Sequence, residues 1–226
     1  MCGIAGSIGK RRIDGEAIRR ALDSMANRGP DALRHKSIEV GSNFVNLLHG
    51  RLSILDLDER SHQPFSIGPC TMVFNGEIYN FVELKSQLEK QGESFSTTSD
   101  TEVLLKYYLR YGDACVEHFE GMWAFAIYDE RTGNLLLSRD RFAEKPLYFF
   151  EDSDTFYFAS EIKTLQRLTR CQFEVIEDVA DFPVMYQVWS VSYGNRLSQR
   201  RPPSFNKVLA IHSSMLNGSP NILFRA

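Results

Sequence analysis

The amino-terminal segment Met1-Cys2-Gly3-Ile4-Ala5-Gly6 constrains this chain most strongly. Its apolar residues are typical of a short buried strand, and its glycines let another backbone approach closely. If Met1 is removed, Cys2 carries both a thiol and a free α-amine. An α-amine titrates near pH ~7.7–8.0 and can act as base for the residue's own sulfhydryl. The alternative interpretation is an ordinary strand with a buried cysteine.

Composition places the chain among globular proteins. Of its 226 residues, 43% are hydrophobic and 24% are charged, and the formal net charge is -3. This balance argues against a general nucleic-acid partner. The first residues lack the basic region of a signal peptide, and no apolar run approaches the ~20 residues that a membrane span needs. We therefore expect a cytoplasmic protein with no membrane partner.

The cysteines and histidines do not indicate a metal site. Cys2, Cys70, Cys115 and Cys171 are widely scattered and form no CxxC pair, so free thiols are expected. The histidines at positions 49, 62 and 118 do not have metal-ligand spacing with the cysteines, and we interpret them as structural. We predict no metal ion.

Hydrophobic periodicity predicts strands at both ends of residues 2–168, with two helices grouped between them. Four helices are expected, beginning after Asp14, after Asn80 and at Ser99, and covering 160–168. Asn80 and Glu83 have the spacing of a capping box. Short apolar runs predict strands at 38–40, 44–48, 71–74, 123–128, 135–138, 147–150 and 156–159. This order favours an α+β fold over regular βαβ alternation.

Residues 169–226 have no clear pattern. The stretch 173–193 is apolar without a definite period, and 196–203 is basic and contains proline. With fewer than 60 residues, this segment is short for a second functional domain. We leave it unassigned and expect a poorly ordered or loosely docked extension.

Seven short motifs across residues 2–168 resemble the class II glutamine amidotransferase domain of glutamine-hydrolysing asparagine synthetases. Each would be weak alone, but they occur in the family's order. In this sequence they read Cys2-Gly3-Ile4-Ala5-Gly6, Arg28-Gly29-Pro30-Asp31, His49-Gly50-Arg51-Leu52-Ser53-Ile54, Asn75-Gly76-Glu77-Ile78-Tyr79-Asn80, Ser99-Asp100-Thr101-Glu102, Gly121-Met122-Trp123-Ala124-Phe125-Ala126 and Arg139-Asp140-Arg141-Phe142.

The resemblance implies a four-layer αββα N-terminal-nucleophile hydrolase fold, with two stacked antiparallel sheets between helical layers. It implies hydrolysis of the L-glutamine side-chain amide to glutamate and ammonia through a Cys2 thioester, within asparagine biosynthesis. It also makes the Asn75 side chain and the Gly76 N–H the oxyanion donors. A type I′ hairpin turn is the alternative for Asn75-Gly76, but a helix beginning at Asn80 leaves no room for a returning strand.

The resemblance also assigns glutamine-binding residues. Arg51 would grip the α-carboxylate with its fork of donors, and Asp100 would receive the α-ammonium with help from Glu77. Leu52 and Ile54 complete this set. Taken singly, Arg51 also suits a surface salt bridge, and Asp100 suits a helix N-cap, a role that it could combine with binding.

Two substitutions and one absence depart from the family pattern. Ala143 stands where the family has glycine, and it would strain the loop if that position needs a positive φ. Asn27 stands where arginine is common. The Ser-Gly-Gly-x-Asp-Ser loop that binds ATP pyrophosphate in full-length relatives is absent, so we do not expect asparagine synthesis from this chain alone.

The absence of that loop bears on cofactors and partners. Glutamine hydrolysis itself needs no cofactor, and ATP and Mg would matter only with a separate synthetase domain. A separate synthetase chain that accepts ammonia is therefore an expected partner. Two alternatives remain: a non-catalytic glutamine-binding or regulatory module that keeps the fold, and an N-terminal-nucleophile acylase for another amide. The sequence does not indicate an oligomeric state.

Overall fold

The computed structural model describes residues 1–53 and 58–172, together with four short backbone segments within residues 174–225. Four helices are α1 (Gly15–Met25), α2 (Phe81–Lys90), α3 (Asp100–Tyr111) and α4 (Ile162–Thr169). The strands are β1 (Gly3–Gly9), β2 (Ala32–Val40), β3 (Asn43–Arg51), β4 (Phe65–Ile67), β5 (Cys70–Ile78), β6 (Gly121–Asp129), β7 (Asn134–Arg139), β8 (Tyr148–Glu151), β9 (Thr155–Ala159), β10 (Glu174–Val175), β11 (Trp189–Ser190), β12 (Lys207–Ala210) and β13 (Ile222–Arg225). Two 3-10 turns cover Glu59–Ser61 and Gly112–His118.

Two sheets form the centre of the molecule. The first has the order β10-β11-β12-β8-β9-β1-β3-β2, and the second has the order β13-β7-β6-β5-β4. Every pairing between two of these strands within residues 1–172 is antiparallel, as predicted. The exception is β13, which pairs with β7 in parallel. The second sheet is therefore mixed at this edge. An isolated parallel bridge joins Pro30 to Arg51.

Side chains from β1 alternate between two cores, as a pleated strand requires. Ile4 faces the second sheet and packs with Leu47, Val73 and Phe158 in the core between the sheets. Ala5 faces the other way and packs with the core under α1 and α4. Helices α2 and α3 cover the outer face of the second sheet. These layers confirm the predicted αββα arrangement and the α+β class.

The helix starts show which local predictions hold. Asp14 caps α1, because its carboxylate accepts from the Ala17 N–H at 2.9 Å. The capping box at α2 is wrong, since Asn80 makes no side-chain cap hydrogen bond. Its amide instead donates to the His118 carbonyl at 2.9 Å and accepts from the Glu120 N–H at 3.1 Å. A tertiary partner before β6 thus outcompetes the local cap.

Asn75 and Gly76 lie inside β5, opposite Ala124 and Trp123 of β6. The type I′ turn is therefore excluded, as the sequence argument expected. A Cβ on Gly76 would clash with the Met122 carbonyl oxygen, so glycine is what permits the close pairing of β5 and β6 at this point. The predicted hairpin around Gly41 is confirmed as β2 and β3. Within the described residues, none of the helices is long and apolar enough to span a membrane.

Candidate active site

A cleft of about 310 Å³ opens where β1 begins, β3 ends and α3 begins. It is bordered by seven of the eight site residues predicted from sequence: Cys2, Arg51, Leu52, Asn75, Gly76, Glu77 and Asp100. Ile54, the eighth, lies outside the described residues. Residues up to 98 positions apart in sequence therefore meet in one cavity.

Cys2 lies immediately before β1, which is held between β3 and β9. Its Sγ accepts from the Leu52 N–H at 3.3 Å and lies 3.5 Å from the Leu52 carbonyl oxygen. Burial raises the pKa of the Cys2 thiol, and the Leu52 N–H partly offsets this by favouring the thiolate. At neutral pH the thiol keeps its proton, so nucleophilic attack requires a base.

The Arg28-to-Asp31 motif anchors the backbone around Cys2. The Arg28 Nε donates to the Cys2 carbonyl oxygen at 3.0 Å. The Asp31 carboxylate accepts from the Ser53 N–H at 2.7 Å, beside the segment that contacts the thiol. These two bonds fix the nucleophile and the end of β3 relative to each other.

Asn75 presents a buried donor that no hydrogen bond satisfies. The residue is 2% exposed, and its Nδ2 has no partner within the described chain. Burying an amide donor without a partner costs ~1–3 kcal/mol, so such groups are rare in folded proteins. An unpaired donor that borders a cleft is suited to receive a ligand oxygen.

The Gly76 N–H lies on the same edge of β5 as two N–H groups that donate hydrogen bonds to side chains, those of Phe74 and Ile78. The Phe74 N–H donates to the Gln63 Oε1 at 2.6 Å, and the Ile78 N–H donates to the Asp100 Oδ2 at 3.1 Å. Because N–H groups of alternate residues point to the same edge of a strand, the Gly76 N–H is directed between them. It therefore faces the cleft beside Asn75.

Arg51 ends β3 with a buried guanidinium, and the residue is only 5% exposed. Its Nη2 donates to the Ser61 hydroxyl at 2.7 Å, and its Nη1 donates to the Asp58 carbonyl at 3.2 Å. The 3-10 turn that follows Asp58 thus fixes the planar group. The surface position considered for Arg51 is wrong, because the side chain is buried.

Asp100 is the first residue of α3 and not its N-cap, which is Ser99. The combined cap and ligand role considered for Asp100 is therefore corrected. Its Oδ2 accepts from the Ile78 N–H, and the Ser99 hydroxyl donates to its Oδ1 at 3.3 Å. Burial raises the pKa of Asp100 to about 6, and the nearby Glu77 carboxylate adds to the rise. A cation beside this carboxylate would therefore be strongly favoured.

Several cleft residues were not predicted from the sequence. Gln63 is buried and bridges two elements, because its Oε1 holds the Phe74 N–H and its Nε2 donates to the Thr101 hydroxyl at 3.4 Å. Ser61, Thr101, Met122 and Lys145 also border the cleft. Their partners are distant in sequence. Thr101 and Met122 stand in two of the quoted motifs, and Lys145 follows the departure at Ala143 by two residues, whereas Ser61 and Gln63 had no such signal.

The loop after β7 is organised by the Asp140 carboxylate. It accepts from the N–H groups of Trp123, Phe142, Glu144 and Lys145 at 3.0–3.3 Å. Within this loop Ala143 has a φ of 58°. The strain expected for alanine is thus confirmed. Asn27, the other departure, is exposed just after the end of α1 and is not among the described residues that border the cleft.

The remaining cysteines and histidines lie apart from this chemistry. All four cysteines are free thiols in the structure. His49 is buried, its Nε2 lies 3.2 Å from the Phe74 carbonyl oxygen, and burial lowers its pKa to about 3. The ring is therefore neutral at physiological pH. Residues 1–53 and 58–172 contain no group of three or more side chains arranged to hold a metal ion.

Solved structures share this architecture. The glutamine phosphoribosylpyrophosphate amidotransferase from Bacillus subtilis, complexed with ADP and GMP, superposes with a TM-score of 0.62 at 22% identity, over 74% of this chain and 44% of that one. A structure titled as the allosteric regulatory enzyme of purine biosynthesis gives a TM-score of 0.59 at 20% identity, over 74% of this chain and 43% of that one. The layers and the place of Cys2 define an N-terminal-nucleophile hydrolase fold.

Residues 1–192 match the family described as the glutamine amidotransferase domain. The chain is 39% identical over 181 residues to putative asparagine synthetase [glutamine-hydrolyzing] 2 of Methanocaldococcus jannaschii, covering 72% of this chain and 34% of that protein. It is 40% identical over 173 residues to asparagine synthetase [glutamine-hydrolyzing] 1 of Bacillus subtilis, covering 73% of this chain and 26% of that protein. This chain belongs to the glutamine amidotransferase domain family, and it spans about a quarter to a third of these relatives.

Proposed function

We propose that this chain hydrolyses the side-chain amide of L-glutamine to glutamate and ammonia, with Cys2 as nucleophile after removal of Met1. One observation carries the proposal. A single cleft holds a thiol, an unpaired amide donor, a buried guanidinium and a buried carboxylate. These groups match the reacting amide and the two charges of an amino acid.

The buried charges would orient the substrate. The Arg51 guanidinium presents donors suited to the α-carboxylate. Asp100 and Glu77 would receive the α-ammonium, which relieves the cost of keeping the Asp100 carboxylate buried and charged. Leu52 would hold the thiol through its backbone N–H, and Ile54 remains a proposed member of the binding set. An amide that lacks the amino-acid head group would bind poorly, which disfavours a general acylase.

The chemical steps conserve atoms and protons. The α-amine of Cys2 takes the thiol proton while Sγ forms a bond to the amide carbon. The oxyanion is received by the Asn75 Nδ2 and the Gly76 N–H. The amine then gives its proton to the departing nitrogen, which leaves as ammonia. Water attacks the resulting thioester, so that glutamate and the free thiol are released.

The proposal for the ammonia starts from the relatives, in which the aligned segment is only part of the protein. The matched asparagine synthetases are three to four times longer than the segment aligned here. We propose that a separate synthetase chain accepts the ammonia for asparagine synthesis in the cytoplasm, and that ATP and Mg belong to that step. Glutamine hydrolysis by the residues of this cleft uses none of them.

The test is release of glutamate from glutamine by the purified protein, together with the intact mass of its amino terminus. We expect loss of Met1, activity in the native chain, and no activity in Cys2→Ala. Cys171→Ala is the matched control, because that half-buried thiol lies outside the cleft. Equal activity in Cys2→Ala and the native protein would refute the mechanism.

A non-catalytic glutamine-binding or regulatory module is the second candidate. In a form that keeps Met1, this residue borders the cleft and Cys2 has no free α-amine. This module predicts a retained Met1, glutamine binding without turnover, and no adduct with diazo-oxo-norleucine. Loss of Met1 with one adduct on Cys2 would decide for the enzyme.

A further inference from the structure

Lys145 is a buried lysine at the cleft without a counter-ion in the described part of the chain. It is 7% exposed and borders the cleft with Cys2. Its Nζ lies 3.8 Å from the Met1 Sδ. Across residues 1–53 and 58–172, no carboxylate oxygen lies within 4.0 Å of this ammonium. Burying an ammonium unpaired is strongly disfavoured, so its position requires an explanation.

Hydrogen bonds within the loop after β7 hold the Lys145 backbone in this position. The Asp140 carboxylate accepts from the Lys145 N–H at 3.0 Å and from the Glu144 N–H at the same distance. The neighbouring Ala143 has a φ of 58°, a conformation that disfavours alanine. A strained loop that buries an unpaired charge beside a cleft is typical of a functional site.

The other charged groups near Cys2 differ from Lys145 in having partners or in being acidic. Arg28 donates to the Cys2 carbonyl oxygen at 3.0 Å, and its Nη2 lies 4.0 Å from the Met1 Sδ. Its Nη1 lies 3.8 Å from the Glu161 Oε1, an acid that it shares with Lys163. Arg51 is held by the turn after Asp58. Among residues 1–53 and 58–172, the charged groups that face the start of β1 or border the cleft are Arg28, Arg51, Lys145, Glu77, Asp100 and Glu161, and Lys163 pairs with Glu161.

We propose that Lys145 keeps the α-amine of Cys2 unprotonated, because its ammonium borders the cleft with Cys2 and lies 3.8 Å from the Sδ of Met1, the residue whose removal frees that amine. This inference rests on the proposed function, in which that amine is the base. A nearby cation disfavours a second positive charge, so the pKa of the amine falls below its ordinary value. Lys145 thus acts through Cys2 and is a positioning residue.

The first test is the pH profile of kcat/KM for glutamine hydrolysis. Lys145→Met keeps the length of the side chain and removes the charge, and we expect the acid limb to move up by about one pH unit. Lys145→Arg keeps the charge and should leave the limb in place. Lys90→Met is the control, because Lys90 is exposed in the last turn of α2. Lys145→Gln serves as the neutral variant if the methionine variant does not fold.

The second test does not require activity. In Cys2→Ser protein that has lost Met1, the α-amine is titrated by reductive methylation with ¹³C-formaldehyde and NMR. We expect the pKa of the amine to be about one unit higher when Lys145→Met is added. An unchanged amine pKa would overturn the inference, as would a raised KM with an unmoved acid limb. Absence of glutaminase activity in native protein would refute the proposed function, while this titration would still decide the role of Lys145.

Discussion

At the scale of single residues, Asn75 shows how a site differs from a core. A buried side-chain amide is normally hydrogen-bonded by the groups around it. The Asn75 Nδ2 has no hydrogen-bond partner in the described chain. Folding therefore leaves a donor in place for a ligand. Such a donor stabilises a negatively charged intermediate more than it stabilises the unliganded protein.

We predict that Asn75→Ala lowers kcat about 10²- to 10³-fold, the usual loss for one oxyanion donor. The melting temperature should change little, because no hydrogen bond to Nδ2 is broken. Steady-state kinetics and thermal denaturation of the same preparations measure both effects. A large fall in melting temperature with unchanged kcat would assign Asn75 to the core instead.

Asp100 is a residue whose burial opposes stability at neutral pH. Its folded pKa of about 6 exceeds the unfolded value, so the folded state binds the proton more tightly between these pH values. Stability therefore falls as pH rises toward 6, and the full penalty is present above it. The ammonium of a bound amino acid would remove that penalty.

We predict that Asp100→Asn raises the melting temperature at pH 7.5 by about 5 °C, because the buried charge is gone. The gain should shrink at pH 5, where the native carboxyl is already protonated. The same variant should raise KM for glutamine at least about tenfold. Asp23→Asn, at an exposed position of α1, is the control for the change of charge. A gain that does not depend on pH would contradict this account.

At the scale of elements, the loop between β7 and β8 has a buried carboxylate that accepts several loop N–H groups, and it contains an alanine with a positive φ. Asp140 holds three loop N–H groups, and this fixes Ala143 at φ 58° regardless of its side chain. The sequence indicated this strain only through the family's glycine at that position. The physical cause, four hydrogen bonds converging on one buried carboxylate, required the structure.

We predict that Ala143→Gly stabilises the protein by ~0.5–1 kcal/mol, because glycine adopts a positive φ without steric cost. Ala26→Gly is the matched control: its φ is -56°, so glycine there should destabilise. Chemical denaturation of both variants gives the two signs. Equal destabilisation by both changes would show that Ala143 is not strained.

The start of α2 shows why local rules fail near the end of a strand. Asn80 has the spacing of a capping box with Glu83, and the sequence gives no sign of another partner. In the fold, β5 and β6 are adjacent, and their paired ends bring His118 and Glu120 to the Asn80 amide. A hydrogen bond across 38 residues cannot be inferred from a spacing of three.

At the scale of the whole molecule, the sequence predicted the fold class and most of the helices and strands of residues 2–168, and it predicted none of the strands beyond them. Helical patterns located the four helices, and short apolar runs located eight of the strands, while β4 was missed. β10 to β13 fall in the stretch without a clear period. Of these, β12 pairs with β8 of the first sheet and β13 pairs with β7 of the second. The boundary at 168 as the end of an independent domain remains a prediction.

The site was predictable to the extent that its chemistry lies in short motifs. Cys2, Arg51, Asn75 and Asp100 each stand in such a motif, and the fold brings them to one cleft. Gln63 and Lys145 were missed because they matter through contacts with β5 and with Met1. Gln63 precedes β4, which pairs with β5 in the same sheet, whereas Lys145 follows β7 of the second sheet and meets Met1 at the start of the first. No local pattern encodes either contact.

The place of β1 also sets an order of events during synthesis. Its two partners are β3, near residue 50, and β9, near residue 159. At ~5–20 residues per second, a ribosome needs roughly 5–20 seconds between making these two strands. Throughout that time one edge of β1 has no partner strand. An aminopeptidase that removes Met1 can therefore act on an open terminus, so maturation of the nucleophile can precede closure of the sheet that later holds it.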